Sequence, residues 1–281
     1  MKLRPISVTE IWRDLLQLTL NTGAARVPRG LPILEVLQGR AVVDMNDPLI
    51  VLPERKLSLK FAFTEAWWML TGRDDVATLH EVSKNIVAYS DDGVTFFGAY
   101  GKRYVAQRER ILRALRRDHD TRQAVLTFWD VANPPDTRDL PCSLTIQWII
   151  RDGALHAVYN MRSSDLWLGW AYDIFSFSCM SFHMLLELRQ TDERLANLTL
   201  GNMYYTAGSM HLYDRDFEGA HRCVYDYNVK IEKQHRSMLL FDLEFLQPNG
   251  VHKEWATPDK FIQFLDDQRK LSNLELREIW A

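Results

Sequence analysis

The chain has 281 residues, 47% hydrophobic and 25% charged, with nine Trp and 13 Phe. That composition excludes a disordered or low-complexity polymer and is enough for one large or two small globular domains with an aromatic core. A formal net charge of −3 excludes a dedicated polyanion binder, so any phosphate site has to be a local arginine cluster rather than a global field.

The elements follow in chain order. Ser7-Val8-Thr9-Glu10 is a capping box that starts an amphipathic helix with Ile11, Leu15, Leu16 and Leu18 apolar, ending near Thr22-Gly23. A loop with Arg26 and Arg29 comes next, then short strands at 34–37 and 41–43. A buried helical turn spans 64–70, opened by Glu65 and closed by Thr71-Gly72. A carboxylate at a helix start is ordinarily a favourable dipole partner. Residues 102–117 form a basic helix with Val105, Ile111, Leu112 and Leu115 inward, its charges a solvated face. Residues 125–129 are a strand, and 133–140 a loop leading to Cys142. Two apolar runs, 143–150 and 154–161, flank Asp152-Gly153, a strong hairpin signal. An apolar helix spans 174–188, with Asp173 at its N-cap position and Cys179 in the core. A strand at 198–205 ends in a helix-borne motif with His211 and Tyr213, and Cys223 follows that helix. An edge strand at 241–246 and a last helix at 258–271 complete the chain.

Three cysteines without paired spacing fit a reducing compartment, and no His/Cys spacing supports a metal site. Met1-Lys2-Leu3-Arg4-Pro5 lacks the apolar core of a secretory signal. No apolar run approaches the roughly 20 residues that span a bilayer. These features predict a cytoplasmic protein, the cytosol of an infected host included. Without repeat or linker, residues 1–281 read as a single domain.

Leu140-Pro141-Cys142-Ser143 carries the candidate nucleophile. A thiolate attacks carbon, so a working cysteine needs positive charge to lower its pKa from about 8.5. The hairpin returns Arg162 toward Cys142 and can supply that charge. The competing reading is a buried structural cysteine.

The stretch Met161-Arg162-Ser163-Ser164-Asp165-Leu166-Trp167-Leu168-Gly169-Trp170-Ala171-Tyr172-Asp173, taken with Leu140-Pro141-Cys142, resembles the thymidylate synthase family. Gly208-Ser209-Met210-His211-Leu212-Tyr213 is similar to that family's Gly-x-x-His-x-Tyr sugar motif. Glu65-Ala66-Trp67-Trp68-Met69-Leu70 is similar to its Glu-Leu-Leu-Trp helix, and Gly98-Ala99-Tyr100-Gly101 to its Gly-x-x-Tyr-Gly turn. The motifs keep the family's order over roughly residues 8–230.

The resemblance implies a single α/β (α+β) domain, a twisted mixed sheet covered by helices, and a homodimer packed sheet to sheet. It implies a pyrimidine nucleoside monophosphate as substrate and 5,10-methylenetetrahydrofolate as co-substrate, with no membrane or nucleic-acid polymer as partner. Cys142 would add to C6, C5 would take up the one-carbon unit, and Glu65 would order water and move protons at the ring. Arg29, Arg162, Ser163 and, across the dimer, Arg122 would hold the phosphate, with Arg26 a possible compensation for Gln123, where the family has a second arginine. His211 and Tyr213 would bind the sugar. Asp165, the Leu168-Gly169 backbone, Tyr172 and Tyr89 would contact the folate, Asp165 and the backbone alternatively the base.

Two departures bear on the product. Thymidylate synthases carry Asn where this chain has Asp173. An amide donates and accepts, whereas an ionised carboxylate only accepts. Uracil has an acceptor oxygen at position 4 and cytosine an amino donor, so Asp173 matches cytosine, especially if the carboxyl and N3 share a proton. This Asp, with Met161 before Arg162, resembles the deoxycytidylate hydroxymethylase branch. The 85–97 stretch lacks the family's tryptophans and offers only Tyr89 as a ring. A wetter folate pocket favours water over hydride at the exocyclic methylene, giving 5-hydroxymethyl-dCMP. A CMP hydroxymethylase, a dCMP methylase, a thymidylate synthase acting on dUMP and a non-catalytic nucleotide or RNA binder stand as alternatives.

Overall fold

The computed structural model describes residues 6–50, 52–132, 136–226 and 257–280. The edge strand expected at 241–246 lies outside them. The capping box at Ser7 and Glu10 is formed and starts α1 (Val8–Thr22), which buries Trp12, Leu15 and Leu16. Next come β1 (Ala24–Arg26) and β2 (Ile33–Asp44), then α2 (Leu59–Leu70), α3 (Val76–His80) and α4 (Tyr100–Arg117). β3 (Val125–Thr127), β4 (Ser143–Arg151), β5 (Ala154–Asp165), α5 (Gly169–Thr191) and β6 (Thr199–Tyr213) follow. α6 (Phe217–Tyr225), α7 (Pro258–Lys270) and α8 (Asn273–Trp280) complete the described chain.

The strands form one mixed sheet in the order β1-β2-β6-β5-β4-β3. The expected hairpin joins β4 to β5, with Asp152 (φ 51) and Gly153 (φ 74) both left-handed, as a two-residue turn of this hand requires. β5 and β6 are the parallel pair, so their connection must cross the sheet. α5 makes that crossing, and its apolar surface, including Ile174, Phe175, Phe177, Cys179 and Leu185, fills the core.

Several expected boundaries moved. The strands at 34–37 and 41–43 are one strand, β2, because its ladder to β6 runs past a kink at Gln38 (φ 57). The strand at 125–129 stops at Thr127. The helix expected at 64–70 begins five residues earlier: the Ser58 hydroxyl accepts from the Phe61 N–H and caps it. Val105 is 44% exposed, because the inward stripe of α4 is Tyr104, Ile111, Leu112 and Leu115. His211 is on a strand, since β6 runs unbroken from Thr199 to Tyr213 in register with β5, and Cys223 sits in α6. α7 is followed by another helix, α8, so the helix at 258–271 is not the last. No helix among the described residues is long and apolar enough to cross a membrane.

Candidate active site

Cys142 stands just before β4, beside the end of β5. The Arg162 N–H donates to the Cys142 carbonyl at 2.9 Å, so the hairpin register sets the two residues side by side. The Arg162 guanidinium is tied back to the same loop, Nε to the Pro141 carbonyl at 2.9 Å and Nη2 to the Leu140 carbonyl at 3.0 Å. Two of its five donors are thus used, and the guanidinium of this exposed residue lies 5.9 Å from the Trp129 ring.

The expectation of a lowered thiol pKa does not hold for the protein alone. Burial raises the Cys142 pKa, Arg162 and Arg29 pull it down, and Asp173 and Asp139 push it up. Desolvation wins because a thiolate in an apolar wall loses more hydration than two arginines, both solvent-exposed, return. Cys179 and Cys223 are fully buried.

Glu65 and Asp173 come together from α2 and α5. The Ser176 hydroxyl, one helical turn beyond Asp173, donates to Glu65 Oε2 at 3.0 Å. Burial raises the Glu65 pKa to about 7, against the opposing Ser176 bond. The Asp173 carboxyl is held well above the ordinary carboxylate range by burial, then by the charges of Glu65 and Asp165.

Both local readings of these acids fail. Glu65 is seven residues into α2, beyond the first turn where the helix dipole acts. Asp173 is the fifth residue of α5, whose N-cap position is Leu168. The start of α5 is served instead by Asp165, whose Oδ1 accepts from the Trp167 and Leu168 N–H groups at 2.8 and 3.2 Å. Asp173 makes no hydrogen bond among the described residues; its neighbours are Glu65, Asp165, Cys142 and the phenols of Tyr100, Tyr159 and Tyr205. The residue is half-buried, so an acid without a protein partner there is still within reach of a ligand.

The other expected residues divide. Arg29 sits in an exposed turn (φ 51), and its charge reaches both Cys142 and His211. Ser163 pairs with Ser209 across β5 and β6. His211 is only 6% exposed and its Nδ1 has no partner, while its ring meets Tyr213 edge-on at 5.1 Å. Tyr172 has its hydroxyl on the Ser58 N–H at 3.1 Å and its ring against Phe61 at 4.8 Å. Leu168 and Gly169 open α5 beside Asp173, whose Oδ2 would lie 3.6 Å from a Cβ added at Gly169. Three residues stand apart. Tyr89 is 56% exposed, Arg122 is an exposed loop residue before β3, and Arg26 is exposed with its guanidinium on the Ala25 carbonyl. Met161 is a core residue whose sulfur accepts the Tyr205 hydroxyl at 2.8 Å.

Two residues at the site carried no role from sequence. The Tyr100 hydroxyl accepts from the Cys142 and Ser143 N–H groups at 3.2 and 3.3 Å, and burial pushes its pKa far up, so it stays protonated and able to donate. Its Gly-x-x-Tyr-Gly turn was the available signal. Arg55 is buried with Nη2 on the Trp167 carbonyl at 2.6 Å, its guanidinium 4.9 Å from the Trp167 ring and 5.9 Å from that of Tyr172. Its Nε has no partner. A single arginine between a proline turn and an apolar helix gives no sequence signal.

The family model for thymidylate synthase matches residues 10–244. A deoxyuridylate hydroxymethyltransferase of Bacillus phage SP01 is 30% identical over 288 residues, covering 92% of this chain and 71% of that protein.

Proposed function

The chain belongs to the thymidylate synthase family, whose chemistry is one-carbon transfer from methylenetetrahydrofolate to a pyrimidine nucleotide, and we propose that this member forms 5-hydroxymethyl-dCMP. The observation that carries the reading is the Asp173 carboxyl, half-buried and without a hydrogen bond among the described residues, beside the groups that surround Cys142. In this reading the Cys142 thiolate adds to C6 of the pyrimidine, which makes C5 nucleophilic toward the one-carbon unit. Tyr100 relays the C5 proton, and Glu65, half-protonated near neutral pH, moves protons at the ring through water. Arg29, Arg162 and Ser163 hold the phosphate with forked or hydroxyl donors, and His211 and Tyr213 the sugar. Asp165, Leu168, Gly169 and Tyr172 face the folate, and Tyr89, exposed and apart from them, takes no part in this reading. A second copy, packed sheet to sheet, supplies Arg122; its exposed position away from Cys142 agrees with service to a neighbouring subunit.

Asp173 reads the base through its proton. As a neutral acid it donates to cytosine N3 and accepts from the 4-amino group. The same acid suits uracil in the opposite sense, accepting from N3–H and donating to O4. Uracil is therefore the second reading, favoured by the relative named as acting on deoxyuridylate. Cytosine N3 is the better proton acceptor, so the shared proton is kept there to higher pH as a charge-assisted pair, whereas with uracil it is lost earlier and leaves a carboxylate oxygen facing O4.

Release of tritium from C5 of dCMP, CMP and dUMP, with the mass of each product, tests the proposal. The expected result is fastest release from dCMP and a product carrying an added CH2OH. A methyl product with accumulation of dihydrofolate, or preference for dUMP at every pH, overturns it.

A further inference from the structure

Three residues before Cys142, Asp139 joins the nucleophile loop to the turn that bears Tyr100. Its Oδ2 accepts from the Gly98 N–H at 2.7 Å. The backbones approach so closely that a Cβ at residue 98 would come 2.4 Å from the Asp139 carbonyl, so only glycine fits there. Two residues beyond Gly98, the Tyr100 hydroxyl takes the N–H groups of Cys142 and Ser143, three and four residues beyond Asp139. The turn is braced from α4 by Arg103, whose Nη1 donates to the Phe97 and Ala99 carbonyls at 2.8 and 3.1 Å. The loop is braced from the other side by Asp91, which accepts from the Thr137 hydroxyl and, at 2.9 Å, from the Arg138 N–H.

Asp139 itself is partly buried, and burial raises its pKa to about 6, with Gly98 and Arg103 opposing. It is therefore ionised at neutral pH and pushes the Cys142 thiol pKa up. A carboxylate that makes the nucleophile less acidic has no value as an activator, yet it holds the one contact that closes the far end of the joint.

We propose that Asp139 is a positioning residue that sets the distance between the Tyr100 hydroxyl and the Cys142 sulfur by clamping the 97–103 turn onto the 139–143 loop. This rests on Cys142 as the nucleophile. Misplacement of a reacting pair by about 1 Å costs on the order of 10²-fold in rate, so losing the clamp falls on turnover rather than on nucleotide binding.

The test compares Asp139→Asn with Asp139→Ala, reading C5-tritium release and, separately, alkylation of Cys142 by iodoacetamide at pH 8, followed by peptide mass. Asn keeps an oxygen for the Gly98 N–H but drops the charge. Expected in Ala is a fall in kcat of roughly 30–100-fold with nucleotide KM changed by less than about threefold, and in Asn a kcat restored to within about threefold of wild type. Both variants should alkylate faster, by about threefold, because both lose the charge that suppresses the thiolate. A general folding fault cannot leave the two variants alike in alkylation and opposite in turnover. If Ala does not fold, Asp139→Glu replaces it: the charge stays, alkylation stays at the wild-type rate, and the longer arm displaces the turn and lowers kcat. Asn as slow as Ala, unchanged kcat in Ala, unchanged kcat in a Glu variant, or a loss confined to KM overturns the clamp alone. Absence of tritium release by the wild-type enzyme from every pyrimidine overturns the functional reading first.

Discussion

The two walls of the candidate site are built differently. On the base side, Glu65 and Asp173 project from two packed helices, α2 and α5, and burial holds both above the ordinary carboxylate range. On the phosphate side, Arg29 and Arg162 are exposed, one in a left-handed turn and one at the end of a hairpin strand. The acid wall is half-buried, so the protonation of its carboxyls is set largely by the protein, which the proposed contact with a heterocycle requires. The arginine wall is wet, which costs little desolvation and, in the proposed function, leaves donors ready for a strongly hydrated anion.

Substitutions can break this contrast, and the largest effect is expected where the walls meet. Cys142→Ala should lose turnover by about 10⁴-fold or more, the scale for removing a nucleophile, while nucleotide binding by titration calorimetry stays close to wild type. Retained turnover would reject the nucleophile. Glu65→Gln should lower kcat by about 10²–10³-fold. Because the folded pKa of Glu65, about 7, lies above its ordinary value of 4.5, the stability of its neutral form is full below about 4.5 and is lost as pH rises through 7. The variant should therefore match wild type in Tm near pH 5 and exceed it by roughly 2–5 °C at pH 8; equal Tm at both values would show that Glu65 is not desolvated.

Asp173→Asn sharpens the comparison. The kcat/KM ratio of dCMP to dUMP should fall by about tenfold, because an amide donates to and accepts from either base and has no proton to share with cytosine N3. In the wild-type enzyme that ratio should rise with pH, because the ionised acid keeps cytosine longer than uracil, and in the Asn variant it should be flat. Glu65 and Cys142 act on both substrates and cancel from the ratio, so a flat wild-type profile would remove Asp173 from base reading. The smallest effect is expected on the wet wall. Arg29→Ala should raise nucleotide KM about tenfold, the lower range for a hydrogen bond to a charged group, with kcat little changed and the effect shrinking as salt rises.

Much of the site was legible because its signals are local. Asp152-Gly153 between apolar runs specified the hairpin that seats Arg162 beside Cys142, and Ser7 with Glu10 specified α1. Separated motifs in family order carried the identity of the fold. Other residues were misread where the local signal was silent. Ser58 caps α2 with no carboxylate or amide three residues on, so the helix was started late and Glu65 was mistaken for its first residue. His211 was assigned to a helix because β6 has no period-2 signature through its Gly208-Ser209 stretch. Arg55 had no motif at all.

From residue order alone came the family, the candidate nucleophile and arginines, and the acid at position 173 that departs from the usual amide. The tertiary structure alone decided what that acid is. Whether Asp173 caps a helix depends on where α5 begins, and Asp165, eight residues earlier, takes that task. Whether it carries a proton depends on Glu65, 108 positions away in the chain, and on how much water the surrounding phenols exclude. Charge and solvation are properties of a neighbourhood, and chain order does not list the neighbours.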